Sequence, residues 1–514
     1  MTVAAGVRKL RPPSCPPEAN CIPPTSWQLA ILYIGLLLIA IGAGCIRPCN
    51  IAFGADQFDS RTEKGRALLA RFYNWWYFSF TISLLVALTT VVYIQSNISW
   101  TIGFAIPTAC FGISSVIFLV GRHTYIYMKP QGSIFVDMVK VIVASYRKRK
   151  VKIPVDDLNN DNTNRVVLYD PPRMSYERDS DDEDDDDQLE NTNNSNNNGS
   201  SSSSIAVSEV NLRLSNRLKW LDKACVISHP NELNQHGIAV NNWRLCSVQQ
   251  VEQLKSVIGI LPIWLAGILC FISMDQQNTF GVLQAIQMNR KLGVTNFVIP
   301  PAWIGFAAMA ALSLWIITYE RVVLPLTKKF KKKDDVRLSV QTRIKIGIIM
   351  SSLSMTVGAI VESKRREAAV RNASFVSPLS VAYLVPQFIL SGLTEAFGAV
   401  TIMEFYTSQM PEYMRSMAGS IFFISLSMAS YLAAMSVSII YRLTKGSDGI
   451  AWLGKHDLNK NRLDLFYAIL ACLGVINYFY FSYFASKFVF VDNKNRVNAE
   501  AAATTTLETH TRVE

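Results

Sequence analysis

The sequence predicts an all-α membrane protein, and three observations carry that prediction. Half of the 514 residues are hydrophobic and only 17% are charged, against about 25% charge in a soluble domain. The mean hydropathy is positive, at +0.20. The apolar residues also fall in nearly charge-free blocks, several of them long enough to cross about 30 Å of hydrocarbon as helices. A soluble enzyme, a secreted disulfide scaffold and a nucleic-acid binder are poor readings on these grounds. The net charge of +11, from 50 Lys and Arg against 39 Asp and Glu, reads as basic loops flanking membrane spans, so no nucleic-acid partner is expected.

Nine spans are expected in order. Three precede residue 122, at 27–46, 72–95 and 99–121. Six follow residue 250, at 256–274, 297–319, 346–361, 375–403, 417–441 and 465–486. The block 346–361 is short and is expected to extend into its charged flanks. The block 375–403 is less apolar than its neighbours because it contains Glu395. Three spans, a long polar segment and six further spans suggest a transporter of two six-helix halves from whose first half three helices are absent.

The chain therefore divides into a partial N-terminal transmembrane bundle (1–121), a cytoplasmic loop (122–250), a six-helix C-terminal bundle (251–490) and a cytoplasmic tail (491–514). The loop opens with Phe135, Met138, Val139, Val141, Ile142 and Tyr146, followed by the basic run Arg147, Lys148, Arg149 and Lys150. That pattern suits an amphipathic helix on the membrane surface. The acidic run 179–190 and the Asn/Ser tract 191–204 cannot bury enough apolar surface to fold and are expected to be disordered.

Lys and Arg divide evenly between the short loops on the two sides of the membrane. The basic flanks of the long loop, Arg122, Lys129, Lys140 and residues 147–152, place it in the cytoplasm. No signal peptide precedes residues 1–26, which would then lie outside. The nine cysteines show no metal-ligand spacing. Cys15 and Cys21 sit together in the external segment and are candidate disulfide partners, with two unpaired thiols as the alternative. Asn372 heads an Asn-Ala-Ser sequon on the expected outer face and is the candidate glycosylation site, being farther from the membrane than Asn97.

An ionisable group inside a span is costly and needs a partner or a task. Glu395 is the clearest case. A carboxylate held between desolvation and attraction to a cation can take up and release a proton; a purely structural ion pair is the alternative. Arg47 ends the first span and can pair with Glu395, bind an anionic solute, or snorkel to headgroups. Asn278 and Thr279, in the polar cluster closing the fourth span, are candidate pathway-lining residues, whereas Asp275 reads as an ordinary helix end. Trp264 and Tyr77 are aromatic candidates for the same lining, although such residues more often form an interface belt. No histidine falls within a span, and no Walker motif, nucleophile elbow or zincin helix occurs. No cofactor, metal or enzymatic activity is expected, and a secondary transporter remains.

Several strings then become recognisable together. Phe53-Gly-Ala-Asp-Gln-Phe-Asp59 resembles the loop after the fourth helix of proton-dependent oligopeptide transporters, and Ile46-Arg-Pro-Cys49 resembles that family's Ile-Lys-Pro-Cys. Phe72-Tyr-Asn-Trp-Trp-Tyr-Phe78 and Leu261-Pro-Ile-Trp264 are similar to its fifth and seventh helices. The plant nitrate transporter 1/peptide transporter branch fits best, and Phe280-Gly-Val-Leu-Gln-Ala and Val92-Tyr-Ile-Gln resemble its low-specificity nitrate and glucosinolate subgroup.

The resemblance implies a major facilitator fold with about nine of twelve helices, the first three absent, and proton-coupled symport through a cavity between the halves. It makes Glu395 the tenth-helix coupling glutamate and puts Arg47 in place of the fourth-helix lysine. It adds Asn74, Tyr77 and Thr81 of the fifth helix as candidate lining. Phe80-Thr-Ile-Ser83 departs from the oligopeptide branch's Ile-Asn-x-Gly, so a peptide substrate is disfavoured. The expected partners are protons, the lipid bilayer and a small anionic solute, with nitrate leading and glucosinolate as an alternative; homo- or hetero-oligomers are open. The plasma membrane is the leading location and the vacuolar membrane the alternative. Without the first helix's Glu-x-x-Glu motif, a non-transporting short form that associates with a full-length relative is the competing reading.

Overall fold

The computed structural model describes residues 2–10, 24–58, 63–126, 134–151, 168–169, 218–234, 237–291, 297–323, 325–326, 329, 338–410, 415–445, 451–454 and 457–486. The acidic run 179–190, the Asn/Ser tract, the C-terminal tail, Cys15 and Cys21 lie outside the described residues. The chain divides into two compact units, one of residues 1–130 with 259–514 and one of residues 131–258.

The first unit is built of long helices: α1 (Ser26–Ala55), α2 (Glu63–Val86) and α3 (Trp100–Val120) before the polar segment. Ser99 caps α3, its Oγ accepting from the Thr101 N–H at 3.3 Å, which satisfies one of the helix's otherwise unpaired first donors. The stretch 134–147 forms α4 (Ile134–Arg147) in the other unit, and α5 (Val248–Gln276) begins there and runs on into the first. Then follow α6 (Ile304–Thr318), α7 (Val340–Arg371), α8 (Val385–Thr394), α9 (Val400–Gln409), α10 (Arg415–Thr444) and α11 (Leu463–Tyr480).

Among the described residues, eight helical stretches are long and apolar enough to cross a membrane. They correspond to eight of the nine expected spans. The remaining one, expected at 72–95, is helical from Glu63 through π-helical turns at Ala87–Val91 and Ile94–Ile98, but its apolar part is the shorter stretch Ile82–Ile98. Its first half carries Lys64, Arg66 and Arg71 beside a run of aromatics, which lowers its hydropathy. The short block 346–361 extends at both ends to give α7, whose N-cap Ser339 accepts from the Thr342 N–H at 3.2 Å.

The C-terminal bundle is organised on α7, which packs against α8 and α11. Glycines set how closely the helices cross. A Cβ on Gly347 of α7 would lie 2.6 Å from the backbone N of Gly398, and one on Gly392 of α8 would strike the carbonyl oxygen of Ala308 in α6. One face of α7 carries a buried polar column instead of an apolar seam. Ser351 meets Ser273 Oγ to Oγ at 2.6 Å, and Ser354 donates to the Gln387 carbonyl at 2.9 Å. Above them Glu362 and Arg365 are both fully buried and joined by two hydrogen bonds of 2.8 Å. Gln284 donates to Glu362 at 2.8 Å, Tyr467 donates to Gln284 at 3.2 Å, and Arg365 reaches Asn459 at 2.8 Å. Nearly every polar group of the column is thereby satisfied, as a low-dielectric interior demands.

The second unit has its own small core. Val141 and Ala144 of α4 pack with Leu221, Ala224, Cys225, Cys246, Val251 and Leu254. Lys148 closes it by donating to the Val226 carbonyl at 2.7 Å and pairing with Glu232 at 2.9 Å. Lys255 pairs with Glu252 at 2.7 Å and also with Asp222.

Candidate functional site

Glu395 lies where α8 gives way to a π-helical turn, Glu395–Ala399, before α9 continues the span. A π-turn widens the helix locally and leaves backbone and side chain displaced from the α-helical register, which is why such turns recur at functional positions. Buried neighbours hold this one in place. Phe397 packs on Trp315 of α6 with ring centroids 4.7 Å apart, and Gly398 abuts α7 at Gly347. Glu395 itself is half-buried, and among the described residues no cation or hydrogen-bond donor holds its carboxyl.

Arg47 lies in the last third of α1 with its side chain exposed. Its guanidinium sits 5.9 Å from the centre of the Phe423 ring on α10, a cation–π contact. Among the described residues no salt bridge joins Arg47 to Glu395 or to any other carboxylate. Among the described residues the two charges therefore stand separately, each without a counterion.

The polar cluster does not close its span, and Asp275 is not a helix end: the cluster falls at another π-turn, Gln277–Gly281, through which the helix runs on to Ile286. Asn278 and Thr279 are exposed there, with the Thr279 hydroxyl bonded back to the Asp275 carbonyl at 2.7 Å. Asp275 accepts from Ser430 of α10 at 2.6 Å. Ser430 lies seven residues beyond Phe423, about 10 Å along the same helix face. One face of α10 thus touches Arg47 at one point and Asp275 at another. Trp264 is half-buried on α5. Asn74, Tyr77 and Thr81 lie in α2, and their side chains fall outside the described residues. Asn372 is the exposed residue ending α7.

A second contact joins the helices on either side of the polar segment. Trp303 donates its indole N–H to the Thr89 carbonyl at 3.2 Å, and Tyr93 packs against Phe297 and Trp303 with centroids 6.3 and 6.0 Å apart. Sequence reasoning passed over Phe423, Ser430 and Asn50. Asn50 accepts from the Trp76 indole at 3.2 Å, and its signal was legible: it stands one helical turn from Arg47 on the same face. The partners on α10 carry no comparable signal, because they are remote in sequence.

The long apolar helices, the π-turns in several of them and the isolated charges point to a membrane protein, and comparison with known proteins decides which kind. Residues 1–453 match the model of PTR2, the POT family. The chain belongs to the POT family. Protein NRT1/PTR FAMILY 2.8 of Arabidopsis thaliana is 46% identical over 499 residues, which is 96% of this chain and 80% of the relative. Protein NRT1/PTR FAMILY 2.13 of the same plant is 38% identical over 489 residues, covering 94% of this chain and 72% of the relative. Among solved structures, the POT family transporter PepTSo superposes with a TM-score of 0.56 at 16% identity, covering 89% of this chain and 78% of its own. An auto-inhibited POT family peptide transporter gives 0.55 at 16% identity with the same coverage. At that identity the likeness establishes the POT fold alone. This POT-family chain is a multi-pass integral membrane protein, and its relatives are transporters rather than enzymes.

Proposed function

We propose that this POT-family protein is a proton-coupled symporter of a small anionic solute, with nitrate the leading substrate and glucosinolate the alternative. The observation that carries the reading is the separation of its two charges: Glu395 carries no counterion among the described residues, and Arg47 rests on an aromatic ring. A carboxylate without a fixed cation can exchange a proton during a transport cycle, and a guanidinium without a fixed anion can receive one. The resemblance to the low-specificity subgroup and the absence of the oligopeptide branch's Ile-Asn-x-Gly favour an anion over a peptide. Asn278 and Thr279, exposed in the π-turn Gln277–Gly281, line the same pathway, with Asn74, Tyr77, Thr81 and Trp264 completing it. The 122–250 segment is cytoplasmic in this reading and the plasma membrane is the site of action; glycosylation at Asn372, read by a mobility shift on glycosidase treatment and lost in Asn372→Gln, tests that orientation.

Expression in oocytes tests the activity. Nitrate uptake that rises as external pH falls and is abolished by Glu395→Gln is the expected outcome. Uptake indifferent to that substitution removes Glu395 from the mechanism. A second reading, a non-transporting chain that associates with a longer relative, is favoured by one observation: along 26–47 no residue of α1 is fully buried among the described residues. Co-purification with a tagged relative, without uptake by the chain alone, selects it.

A further inference from the structure

α4 (Ile134–Arg147) is apolar on two faces, and the described residues pack against only one of them. Its inner face, with Met138, Val141 and Ala144, packs into the core of the second unit. Its other face carries Phe135, Val139, Ile142 and Tyr146, all exposed, the first and last at 63% and 66%. Spaced at four, three and four residues, these side chains form one stripe along the helix. Four large apolar groups in water, on a helix already anchored by its opposite side, need an external partner.

Charge identifies that partner. The described acids of this unit are engaged by lysines: Asp137 by Lys140, Glu232 by Lys148, and Asp222 and Glu252 by Lys255. Arg147, Arg149 and Lys150, at the C-terminal end of the stripe, have no carboxylate partner among the described residues. The Arg149 guanidinium lies 4.7 Å from the centre of the Tyr146 ring, so cation and stripe meet directly. Lys223 is fixed beside them, donating to the Arg149 carbonyl at 2.7 Å. An apolar stripe ending in unpaired cations is complementary to an anionic bilayer surface, with acyl chains receiving the rings and headgroups the cations.

We propose that the outer face of α4 is a docking surface for anionic phospholipid, with Phe135, Val139, Ile142 and Tyr146 entering the leaflet and Arg147, Arg149, Lys150 and Lys223 holding its headgroups. Each cation so placed strengthens association about fivefold, which makes the contact dependent on lipid composition.

The test uses the full-length protein in nanodiscs of phosphatidylcholine with or without phosphatidylserine. A fluorescent non-natural amino acid at Ile142 reports the outer face and one at Met138 the inner face. With brominated acyl chains, quenching at Ile142 that increases about twofold or more when phosphatidylserine is present is expected, with none at Met138. Arg147→Glu, Arg149→Glu and Lys150→Glu together should return Ile142 to its value in phosphatidylcholine. Equal, weak quenching at both positions in both lipids overturns the proposal. So does protection of Ile142 that depends on protein concentration, which gives the stripe to a second copy. Quenching that appears only after residues 179–190 are deleted gives the basic end to that acidic run and overturns it as well.

Discussion

Arg365 closes on Glu362 through two parallel hydrogen bonds of 2.8 Å, and both side chains are fully buried in the C-terminal bundle. Such a pair adds little beyond a well-packed apolar substitute, but breaking it strands a charge. Arg365→Met should therefore destabilise the protein by about 3–5 kcal/mol, while the double variant with Glu362→Met recovers much of the loss. Thermal unfolding of the purified variants in detergent checks both, and a single variant as stable as the parent refutes the account.

The ring beneath Arg47 makes a second prediction. Replacing Phe423 with Leu removes a cation–π contact worth about 0.5–1 kcal/mol but leaves the charge. The expected effect is a rise in the KM for the anion of about two- to fivefold, with kcat little changed. Arg47→Lys should keep measurable uptake, and Arg47→Gln should lose about tenfold in kcat/KM or more. Uptake kinetics across a range of nitrate concentrations separates the three.

Gly347 permits a helix crossing that no side chain would. A Cβ there would meet the Gly398 backbone at 2.6 Å, so Gly347→Val should lower stability by about 1–3 kcal/mol through overpacking. Gly305→Ala, with nothing within 4 Å of the added carbon, is the control and should be silent. Melting temperatures of the two variants are the measurement.

Two thiols of the second unit predict a pH dependence. Burial pushes Cys225 up from its ordinary 9.0 to about 12 and Cys246 to about 11. The folded state thus holds these protons to higher pH than the unfolded chain does. Their contribution is intact below pH 9 and is lost as pH rises from there toward 11–12. At neutral pH neither thiol should react with maleimide unless the unit is unfolded. Mass spectrometry of labelled peptides reads this, and labelling of native Cys225 at the rate seen in denatured protein contradicts it.

Much of the architecture was legible in the sequence because an uncharged run of the right length has few other uses. The expected span at 99–121 is matched closely by α3, where Ser99 and Gly121 mark the ends. The extension of 346–361 into its charged flanks was legible as well, and α7 runs on to Arg371 with Arg365 pairing Glu362 one turn away. What remained hidden depended on helix register and on contacts between residues remote in sequence. Glu395 stood out as an isolated acid in an apolar run, but its place at the start of a π-turn carries no local signature. Arg47 was likewise legible as a charge. Its contact with Phe423 was not, because many aromatics could have met it. In α4 the sequence displayed a single apolar pattern, and only the packed structure divides it into an inner face and an outer one.

The bond from Trp303 to Thr89 ends on a main-chain carbonyl. Every residue type supplies that acceptor, so position 89 is free to vary among related transporters as long as its helix keeps its course. The indole is not replaceable in this way, since no other side chain has its reach and a single ring N–H. Across evolution the contact should therefore look one-sided, with a constrained tryptophan facing a position whose identity drifts. A search for paired substitutions would miss this junction between the helices on either side of the polar segment.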